Sequence, residues 1–445
     1  MNKEEILKKL EEEDIKMVRF LYIDNEGLIR GYMAKRQEMK SDLESGHSIT
    51  VAMPFFTAFD LLVPDSKFGA VGEFRIVPDM DTFKILPYAE KNAALICDIK
   101  SPDLKPLNIC ARTKLKEILN KVDYEVFASI ENELYFVLKK ENGEIVPFED
   151  SLCFSTKGMN INNKIVLEIV DALEKQGIEL EKYYPEYGPG QQEFVLKYRP
   201  ALQAADNQIY FRETVRAITQ KYGIIASFMP KPFNDKAGSG AHINLSCWKN
   251  GKNLFYDKND QFGLSKFAYN FIAGVLKHIR ALCAFTTPTI TSYKRLLPGH
   301  WSSAFGCYGY DNREAAIRIP STQFGNWEKT ARIEYKPADC SSNPYLAIAA
   351  IIAAGNDGVV NGFDPGPAIM SDPGLLSEEE RQKRGIQRLP QTLAEALDAL
   401  DKDEYMREFF SNEMVDEYIK MKKNDWFEFM HFVTDWEVKK YLDIF

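Results

Sequence analysis

The sequence predicts an α+β protein, in which helices and strands mix along the chain without the regular alternation of a parallel α/β fold. Short runs rich in Val, Ile, Phe and Tyr predict strands in both halves of the chain, and stretches with apolar residues every three to four positions predict helices between them. The 445 residues, 45% of them hydrophobic and 27% charged, can form one large or two modest domains.

The N-terminal part predicts a small mixed β domain. A strand pattern over residues 17–23 and the turn signal Asp24-Asn25-Glu26-Gly27 predict a hairpin. Short β-like segments punctuated by prolines continue as far as Ser101-Pro102-Asp103, where we expect a junction. We therefore predict an N-terminal domain over residues 1–103 and a second domain over residues 104–445.

The remaining elements follow one another irregularly. The predicted helices cover residues 2–13, 113–121, 163–176, 207–222, 267–284 and 344–356. The predicted strands of the second domain cover residues 124–139, 194–198, 241–248, 317–319 and 332–336. The tail after residue 389 predicts further helices, and no internal repeat or low-complexity tract is present.

Composition excludes several classes of protein. A net charge of −9 and the lack of a Lys/Arg run argue against nucleic-acid binding. The charged N-terminus has no signal-peptide core, and no apolar run approaches the roughly 20 residues that would span a bilayer. The seven cysteines are scattered without C-x-x-C spacing, which fits a reducing compartment and neither zinc nor a disulfide framework. We therefore expect a cytoplasmic protein with no nucleic-acid or membrane partner.

One predicted strand carries two acidic residues on the same face. Glu131 and Glu133 alternate with Ile130, Asn132 and Leu134, so both carboxylates point to one side of the sheet. Taken alone, such a pair is more often a solvated strand face than a site.

Other acidic segments change that interpretation. His242 lies on the polar face of one predicted strand and Glu334 on that of another, while a Gly-Pro-Gly turn can bring Glu186 and Glu193 together. Oxygen-dominated ligands with one imidazole favour Mg²⁺ or Mn²⁺ over zinc. The candidate ligands are Glu131, Glu133, Glu186, Glu193, His242 and Glu334.

Basic residues near the same segments indicate phosphate chemistry. Arg295, Arg313, Arg318 and Lys329 lie between residues 290 and 340, and phosphoryl transfer with two metal ions needs such cations. No G-x-x-x-x-G-K-[ST] run is present, so the sequence excludes a P-loop. The residues alone predict a two-metal enzyme that handles phosphate.

Several short motifs, taken in order, resemble those of the glutamine synthetase family, type I, over nearly the whole chain. Each is weakly specific alone, and their order makes chance a poor explanation. They are Glu131-Asn132-Glu133, Gly188-Pro189-Gly190-Gln191-Gln192-Glu193, Phe228-Met229-Pro230-Lys231-Pro232, Gly238-Ser239-Gly240-Ala241-His242, Asn312-Arg313-Glu314-Ala315, Arg332-Ile333-Glu334 and Asn343-Pro344-Tyr345-Leu346-Ala347.

The resemblance implies a fold, an assembly and two ion sites. The fold would be an N-terminal β-grasp domain with a catalytic domain built on an open, barrel-like antiparallel sheet, and the assembly a double-ringed homododecamer with active sites between subunits. One ion would be held by Glu133, Glu186 and Glu193 and the other by Glu131, His242 and Glu334.

The resemblance also implies roles at the substrate sites. ATP would contact Glu181, Asn244, Ser246, Arg318 and Lys329. The acid substrate would contact Gly238, Arg295, Arg313 and Lys336, and the catalytic residues would be Arg313, Glu186 and Arg295. In the implied reaction, the γ-carboxylate of glutamate takes the γ-phosphate of ATP, and an amine then displaces phosphate to form an amide.

The sequence departs from the family pattern where the amine should bind. Trp301 stands where the flap should present a glutamate, Thr50 lies near an expected aspartate, and Cys153 aligns with an expected tyrosine. Trp accepts organic ammonium or alkyl groups through cation–π and apolar contact. At the acid side, Ala237 replaces an expected Asn, and Lys336 replaces an arginine and so loses its bidentate grip.

These departures favour one branch of the family. We expect an ATP-dependent ligase that joins glutamate to an organic amine, as in glutamine-synthetase-like γ-glutamyl-amine ligases. A glutamine synthetase that uses ammonia is the first alternative. A non-catalytic structural or regulatory member is the second, disfavoured because all six metal-ligand positions are kept.

Overall fold

The computed structural model describes residues 1–445, and these residues form two sheets with helices packed around them. The predicted α+β class is confirmed. No helix combines the length and the apolar character that crossing a bilayer requires.

The N-terminal sheet has six strands in the order β2-β1-β6-β4-β3, with β5 paired to β6. Strand β1 is antiparallel to β2, as the hairpin signal predicted, and parallel to β6, as in a β-grasp domain. The strands are β1 (Met17–Ile23), β2 (Ile29–Lys35), β3 (His47–Thr50), β4 (Glu73–Pro78), β5 (Lys84–Ile85) and β6 (Asn92–Lys100), with helices α1 (Lys3–Glu12) and α2 (Lys40–Ser45).

The second sheet has twelve strands and curls into a half-barrel. Its main path runs β18-β15-β16-β17-β13-β7-β10-β9, and the short strands β8, β11, β12 and β14 pair at its sides. The strands are β7 (Glu125–Lys139), β8 (Ile145–Pro147), β9 (Leu180–Pro185), β10 (Gln191–Leu196), β11 (Arg199–Pro200), β12 (Ile225–Ser227), β13 (Ala241–Lys249), β14 (Lys252–Asn253), β15 (Phe305–Tyr310), β16 (Ala315–Ile319), β17 (Ile333–Tyr335) and β18 (Gln387–Arg388).

Twelve helices accompany this second sheet. They are α3 (Ala111–Lys121), α4 (Thr156–Lys175), α5 (Ala201–Lys221), α6 (Lys266–Thr286), α7 (Ile290–Arg295), α8 (Trp327–Thr330), α9 (Pro344–Asn361), α10 (Glu378–Lys383), α11 (Leu393–Lys402), α12 (Glu404–Phe410), α13 (Asn412–His431) and α14 (Asp435–Tyr441).

Two helices begin earlier than the sequence predicts. Helix α4 begins at Thr156, where the Ser155 side chain accepts the Lys157 N–H, and helix α5 follows directly on Pro200. Strands β9 and β15 were not predicted. The second has the sequence FGCYGY, and its two glycines dilute the strand signal.

Helices α6 and α9 pack closely in the centre of the molecule. A Cβ on Gly274 would lie 2.1 Å from the Ala354 carbonyl oxygen, and one on Gly358 would lie 2.0 Å from that of Asn270. The backbones therefore approach to a distance that only glycine permits. Nearly every side chain from Pro344 to Gly358 is buried there.

A buried ion network joins the N-terminal sheet to the helices. The Arg112 guanidinium, 3% exposed, donates to Asp206 at 2.9 Å, to Asp98 at 2.9 Å and to Asp79 at 2.8 Å. Asp79 and Asp98 belong to the N-terminal part of the chain, whereas Asp206 lies on α5. Because one apolar core also runs through both parts, the division at residue 103 stays a prediction.

We predict that Arg112→Met lowers the free energy of unfolding by about 3–5 kcal/mol, because it removes the only cation from Asp206 and leaves Asp79 and Asp98 with Lys116 alone. Urea denaturation followed by tryptophan fluorescence measures the loss. Lys105→Met is the matched control, since the Lys105–Asp103 pair is exposed and screened by solvent and should contribute little to stability. Equal effects of the two substitutions would contradict the assigned role of Arg112.

Candidate functional site

The register of the half-barrel sheet places ionisable side chains from four strands on one face. On β7, Glu131 lies opposite His242 of β13, and Glu133 lies opposite Glu193 of β10. Glu334 of β17 lies one strand further, opposite Asn244 of β13. Because side chains alternate along a strand, the two glutamates of β7 share this face, as predicted.

Three of these side chains form a compact group. Ligand atoms of Glu131, His242 and Glu334 all lie within 4.8 Å of one another. His242 Nδ1 is 3.3 Å from a Glu334 oxygen and 3.6 Å from a Glu131 oxygen. Two carboxylates and one imidazole nitrogen at this spacing could hold a divalent ion that prefers oxygen ligands.

Neighbouring side chains fix the orientation of this group. Asn244 donates to Glu131 at 2.9 Å, and Arg318 donates to Glu334 at 2.8 Å. Lys336 Nζ lies 3.5 Å from a Glu334 oxygen and 3.4 Å from His242 Nε2. Although burial acts against its charge, Lys336, His242 and Arg318 hold the pKa of Glu334 below its usual range.

A second acidic group lies on the other side of His242, whose Nε2 is 3.6 Å from Glu133. The Gly240 N–H donates to Glu133 at 2.7 Å, and the Tyr184 hydroxyl donates to Glu193 at 2.5 Å. Burial and the charge of Glu133 raise the pKa of Glu186 to about 7, and burial with Glu133 and Glu131 raises the pKa of Glu193.

The charges around the predicted ligand residues indicate whether these residues fit metal ions. Besides burial, the charge of Glu133 raises the pKa of Glu186 and of Glu193. No Lys or Arg side chain forms an ion pair with any of the three, and the His242 imidazole is 3.6 Å from Glu133. A divalent cation would remove that repulsion and match the oxygen-rich donor set. Glu131, His242 and Glu334 therefore fit one divalent ion by their spacing, and the charges of Glu133, Glu186 and Glu193 favour a second cation beside them.

Arg295 lies beneath the two groups rather than in open solvent. Its guanidinium, 5% exposed, donates to the backbone carbonyls of Pro337 at 2.7 Å and Lys336 at 3.1 Å. A Cβ on Gly238 would come within 2.6 Å of the Arg295 stem, and one on Gly240 would come within 2.6 Å of its guanidinium. The Gly-Ser-Gly segment is therefore small because Arg295 passes against it.

The residues predicted to contact ATP lie at one end of the acidic face and at its exposed edges. Arg318 joins Glu334 to Asp311, which is 3.3 Å from its other terminal nitrogen. The Ser246 hydroxyl accepts the Trp248 indole N–H at 2.9 Å. Lys329 lies exposed on α8, and Glu181 lies exposed on β9.

The residues predicted for the amine side are only partly brought together. Cys153 lies near Glu186 and Glu193, whose charges together with burial raise the pKa of its thiol. Trp301 is 67% exposed and lies on the loop of residues 296–304 between α7 and β15, which is the predicted flap. Thr50 pairs with Glu73 in the N-terminal sheet and donates to the Gly69 carbonyl, so its contacts lie away from the acidic face.

Arg313 lies exposed in the turn between β15 and β16, and its charge acts on Glu186.

Three neighbours of the site were given no role in the sequence analysis, although all three lie inside the quoted motifs. Gln191 donates to Glu133 at 3.4 Å and to the Gly238 carbonyl at 3.0 Å, and Arg332 donates to Asn244 at 2.9 Å. Glu314 accepts the Trp301 N–H at 2.7 Å.

Two family models together match residues 1–441 of the chain. The model described as "Glutamine synthetase N-terminal domain" matches residues 1–108, and the model described as "Glutamine synthetase, catalytic domain" matches residues 108–441.

Named relatives and a solved structure agree with this match. A "Glutamine synthetase" of Thermotoga maritima is 34% identical, with 99% of this chain and 100% of the relative covered. A "Glutamate--methylamine ligase" of Methyloversatilis universalis is 33% identical, with both chains covered fully. The structure titled "Apo GmaS without ligand" superposes with a TM-score of 0.86 at 27% identity, over 98% of this chain and 99% of that one.

The family uses ATP and divalent metal ions, which the acidic face described above fits. By its fold, by the match of both family models and by these relatives, the chain belongs to the glutamine synthetase family of ligases.

Proposed function

We propose that this ligase activates glutamate with ATP and joins it to an organic amine rather than to ammonia. One observation carries the proposal: Glu131, His242 and Glu334 converge as a metal group, while the loop after α7 presents the exposed indole of Trp301 instead of a carboxylate. A relative of equal similarity is named a glutamate–methylamine ligase, which supports the same choice.

The two acidic groups would hold one divalent ion each, Mg²⁺ or Mn²⁺. Glu131, His242 and Glu334 are assigned to one ion, and Glu133, Glu186 and Glu193 to the other. When bound, these ions polarise the phosphate oxygens and offset the negative charge that develops there. The hydrogen bonds from Asn244, Arg318 and Tyr184 hold the carboxylates in place before substrate arrives.

The cationic residues of the chain would serve the phosphate and the acid. Arg313 lies exposed beside Glu186 and can stabilise the transferring phosphoryl group by its guanidinium. ATP is assigned to Glu181, Asn244, Ser246, Arg318 and Lys329, the last of which lies exposed on α8.

The acid substrate is assigned to Gly238, Arg295, Arg313 and Lys336. Arg295 already donates to two carbonyls, so it would act as a fixed positive charge under the site. Lys336 supplies a point charge rather than a bidentate fork, and it also contacts Glu334 and His242.

The amine side is where the two candidate substrates separate. Ammonium is small and fully charged, so a pocket for it needs close carboxylates, whereas an alkyl amine also needs apolar surface. Cys153 supplies polarisable, uncharged surface near Glu186, and Trp301 supplies such surface at the flap.

Glutamine synthesis from ammonia is the second candidate function, favoured by the relative of Thermotoga maritima and by the presence of Glu186. A non-catalytic member is disfavoured because Glu131, His242 and Glu334 converge within 4.8 Å.

We also propose a homo-oligomer, with the dodecamer that the resemblance implied, in the cytoplasm. The C-terminal segment leaves Phe432, Trp436 and Leu442 at least 60% exposed, which is typical of a surface that a neighbouring subunit covers. In such an assembly Thr50, whose contacts lie away from the acidic face of its own chain, would serve the site of a neighbour.

The assigned metal ligands predict how Mn²⁺ changes the stability of the protein. Mn²⁺ at about one hundred times its Kd should stabilise the protein by about 2.7 kcal/mol, and Glu131→Gln should lose most of that gain because it removes a ligand. Without metal, the variant should be at least as stable as the wild type, since a repulsive charge is gone. Thermal unfolding with and without MnCl₂ measures both effects.

The matched control is Glu144→Gln. Glu144 is an exposed glutamate that pairs with Lys140 in the turn between β7 and β8. This variant should keep the full Mn²⁺ effect. An equal Mn²⁺ stabilisation in the Glu131 variant would remove Glu131 from the metal site.

Amine choice gives the second prediction. Phosphate release from ATP and glutamate, measured with ammonia, methylamine, ethylamine and putrescine, should give a higher kcat/KM for at least one organic amine than for ammonia. Trp301→Glu should shift the ratio toward ammonia by at least about tenfold, or about 1.4 kcal/mol, because it restores a carboxylate at the flap.

Trp327→Glu is the control for a new surface carboxylate, since Trp327 lies exposed on α8, away from the flap. Ammonia turning over as well as the best organic amine would refute the organic-amine proposal. An unchanged amine profile in the Trp301 variant would remove this residue from the amine pocket.

A further inference from the structure

Glu314 is a buried carboxylate beside the flap to which neither ion nor phosphate has been assigned. It is 6% exposed and follows Arg313 directly in the turn between β15 and β16. One carboxylate oxygen, Oε1, accepts the backbone N–H of Trp301 at 2.7 Å. The other, Oε2, is buried without any hydrogen-bond partner.

The turn that carries Glu314 is rigidly held. The Asn312 side-chain oxygen accepts the Glu314 N–H at 3.0 Å, and its amide donates to the carbonyls of Ile369 at 2.8 Å and Ser371 at 3.0 Å. The unpaired Oε2 is therefore not the free end of a mobile side chain. It is fixed where the turn places it.

The flap is shaped around the same carboxylate. Trp301 and Ser303 have φ values of +53° and +63°, in the left-handed region that residues with a Cβ adopt at a cost. Ser302 bonds to both the N–H and the carbonyl of Leu297, which closes the loop. The backbone N–H of Trp301 donates to Glu314, which fixes the loop backbone at the residue that carries the indole.

Glu314 and the acidic face share one charged neighbour, Lys336. Burial raises the pKa of Glu314, while the Trp301 N–H and the charge of Lys336 act in the opposite direction. Lys336 also lowers the pKa of Glu186 and of Glu334, and its Nζ lies 3.4 Å from His242. The charge of this one buried ammonium thus acts on Glu334, Glu186 and Glu314.

A buried carboxylate oxygen without a donor costs about 1–3 kcal/mol or more, so its retention points to a ligand that supplies one. The acids of the two ion groups are committed to cations already. An amine substrate is protonated at neutral pH and brings N–H donors and a positive charge to the flap.

We infer that Glu314 is the amine-binding carboxylate of this ligase: Oε2 accepts an N–H from the cationic amine, while Oε1 holds Trp301 so that the indole covers the alkyl group. The inference rests on the proposed function, because it names the group that binds the amine. It also explains how the flap can present an indole and still attract a cation.

Glu314→Gln tests the inference, because glutamine keeps the Oε1 acceptor for the Trp301 N–H and removes only the charge. The KM for methylamine should rise by about 10- to 100-fold, the range expected when a hydrogen bond to a charged partner is lost. The KM for glutamate and ATP should stay within about twofold of the wild type. Hydroxylamine, a nucleophile largely uncharged at neutral pH, should keep its KM and kcat.

Each outcome separates a binding role from a structural one. Equal losses with methylamine and hydroxylamine would mean that Glu314 only supports the flap, and an unchanged KM for methylamine would mean that it does not bind the amine; either result overturns the inference. Glu314→Asp, which keeps the charge, should restore a low KM for methylamine relative to that for hydroxylamine. It serves as the test if the Gln variant does not fold. A high KM for methylamine in the Asp variant would also count against the inference.

The same panel tells this inference apart from the proposed function. If the wild type turns over ammonia alone, the organic-amine proposal fails, and the ammonium KM of the Glu314 variants still tests the carboxylate. If methylamine turns over in the wild type and its KM is unaffected in both variants, the inference fails and the proposed function stands.

Discussion

Mutual repulsion among carboxylates on one sheet face is the constraint on which the site depends. Glu131, Glu133 and Glu193 come together because β7 lies between β10 and β13 in fixed register. Burial makes that repulsion stronger, since the local dielectric is low. The fold can keep such a face only if cations join it, and divalent ions are the cations that its oxygen donors select.

Neighbouring residues hold the carboxylates of this face in position. Arg318 and Asn244 orient carboxylates of one group, Tyr184 and the Gly240 N–H orient those of the other, and Arg295 lies beneath both. The carboxylates of this face are therefore held by hydrogen bonds from largely buried residues. The proposed amine end is a loop, with the exposed indole of Trp301 and a single buried carboxylate, so substrate choice can change there while the acidic groups do not.

How far the sequence predicts the structure depends on how local the signal is. Strand β7, predicted over residues 124–139, is observed over Glu125–Lys139, because alternation and β-branched residues lie within the strand itself. Strand β15 was missed because Gly306 and Gly309 weaken that signal. The role of Glu314 could not be predicted, since its meeting with Trp301 depends on how two loops close in space. The Asn-Arg-Glu-Ala motif gave the position but not the partner.

The central claim is that the acidic face transfers a phosphoryl group from ATP to the γ-carboxylate of glutamate before the amine attacks. Glutamate labelled with ¹⁸O in its γ-carboxylate tests this most directly, with mass spectrometry of the phosphate released in the presence of methylamine and, separately, of ammonia. The account predicts one ¹⁸O atom in each phosphate formed, because the C–O bond of the acyl phosphate breaks when the amine adds. Unlabelled phosphate, released while ATP is consumed, would contradict it.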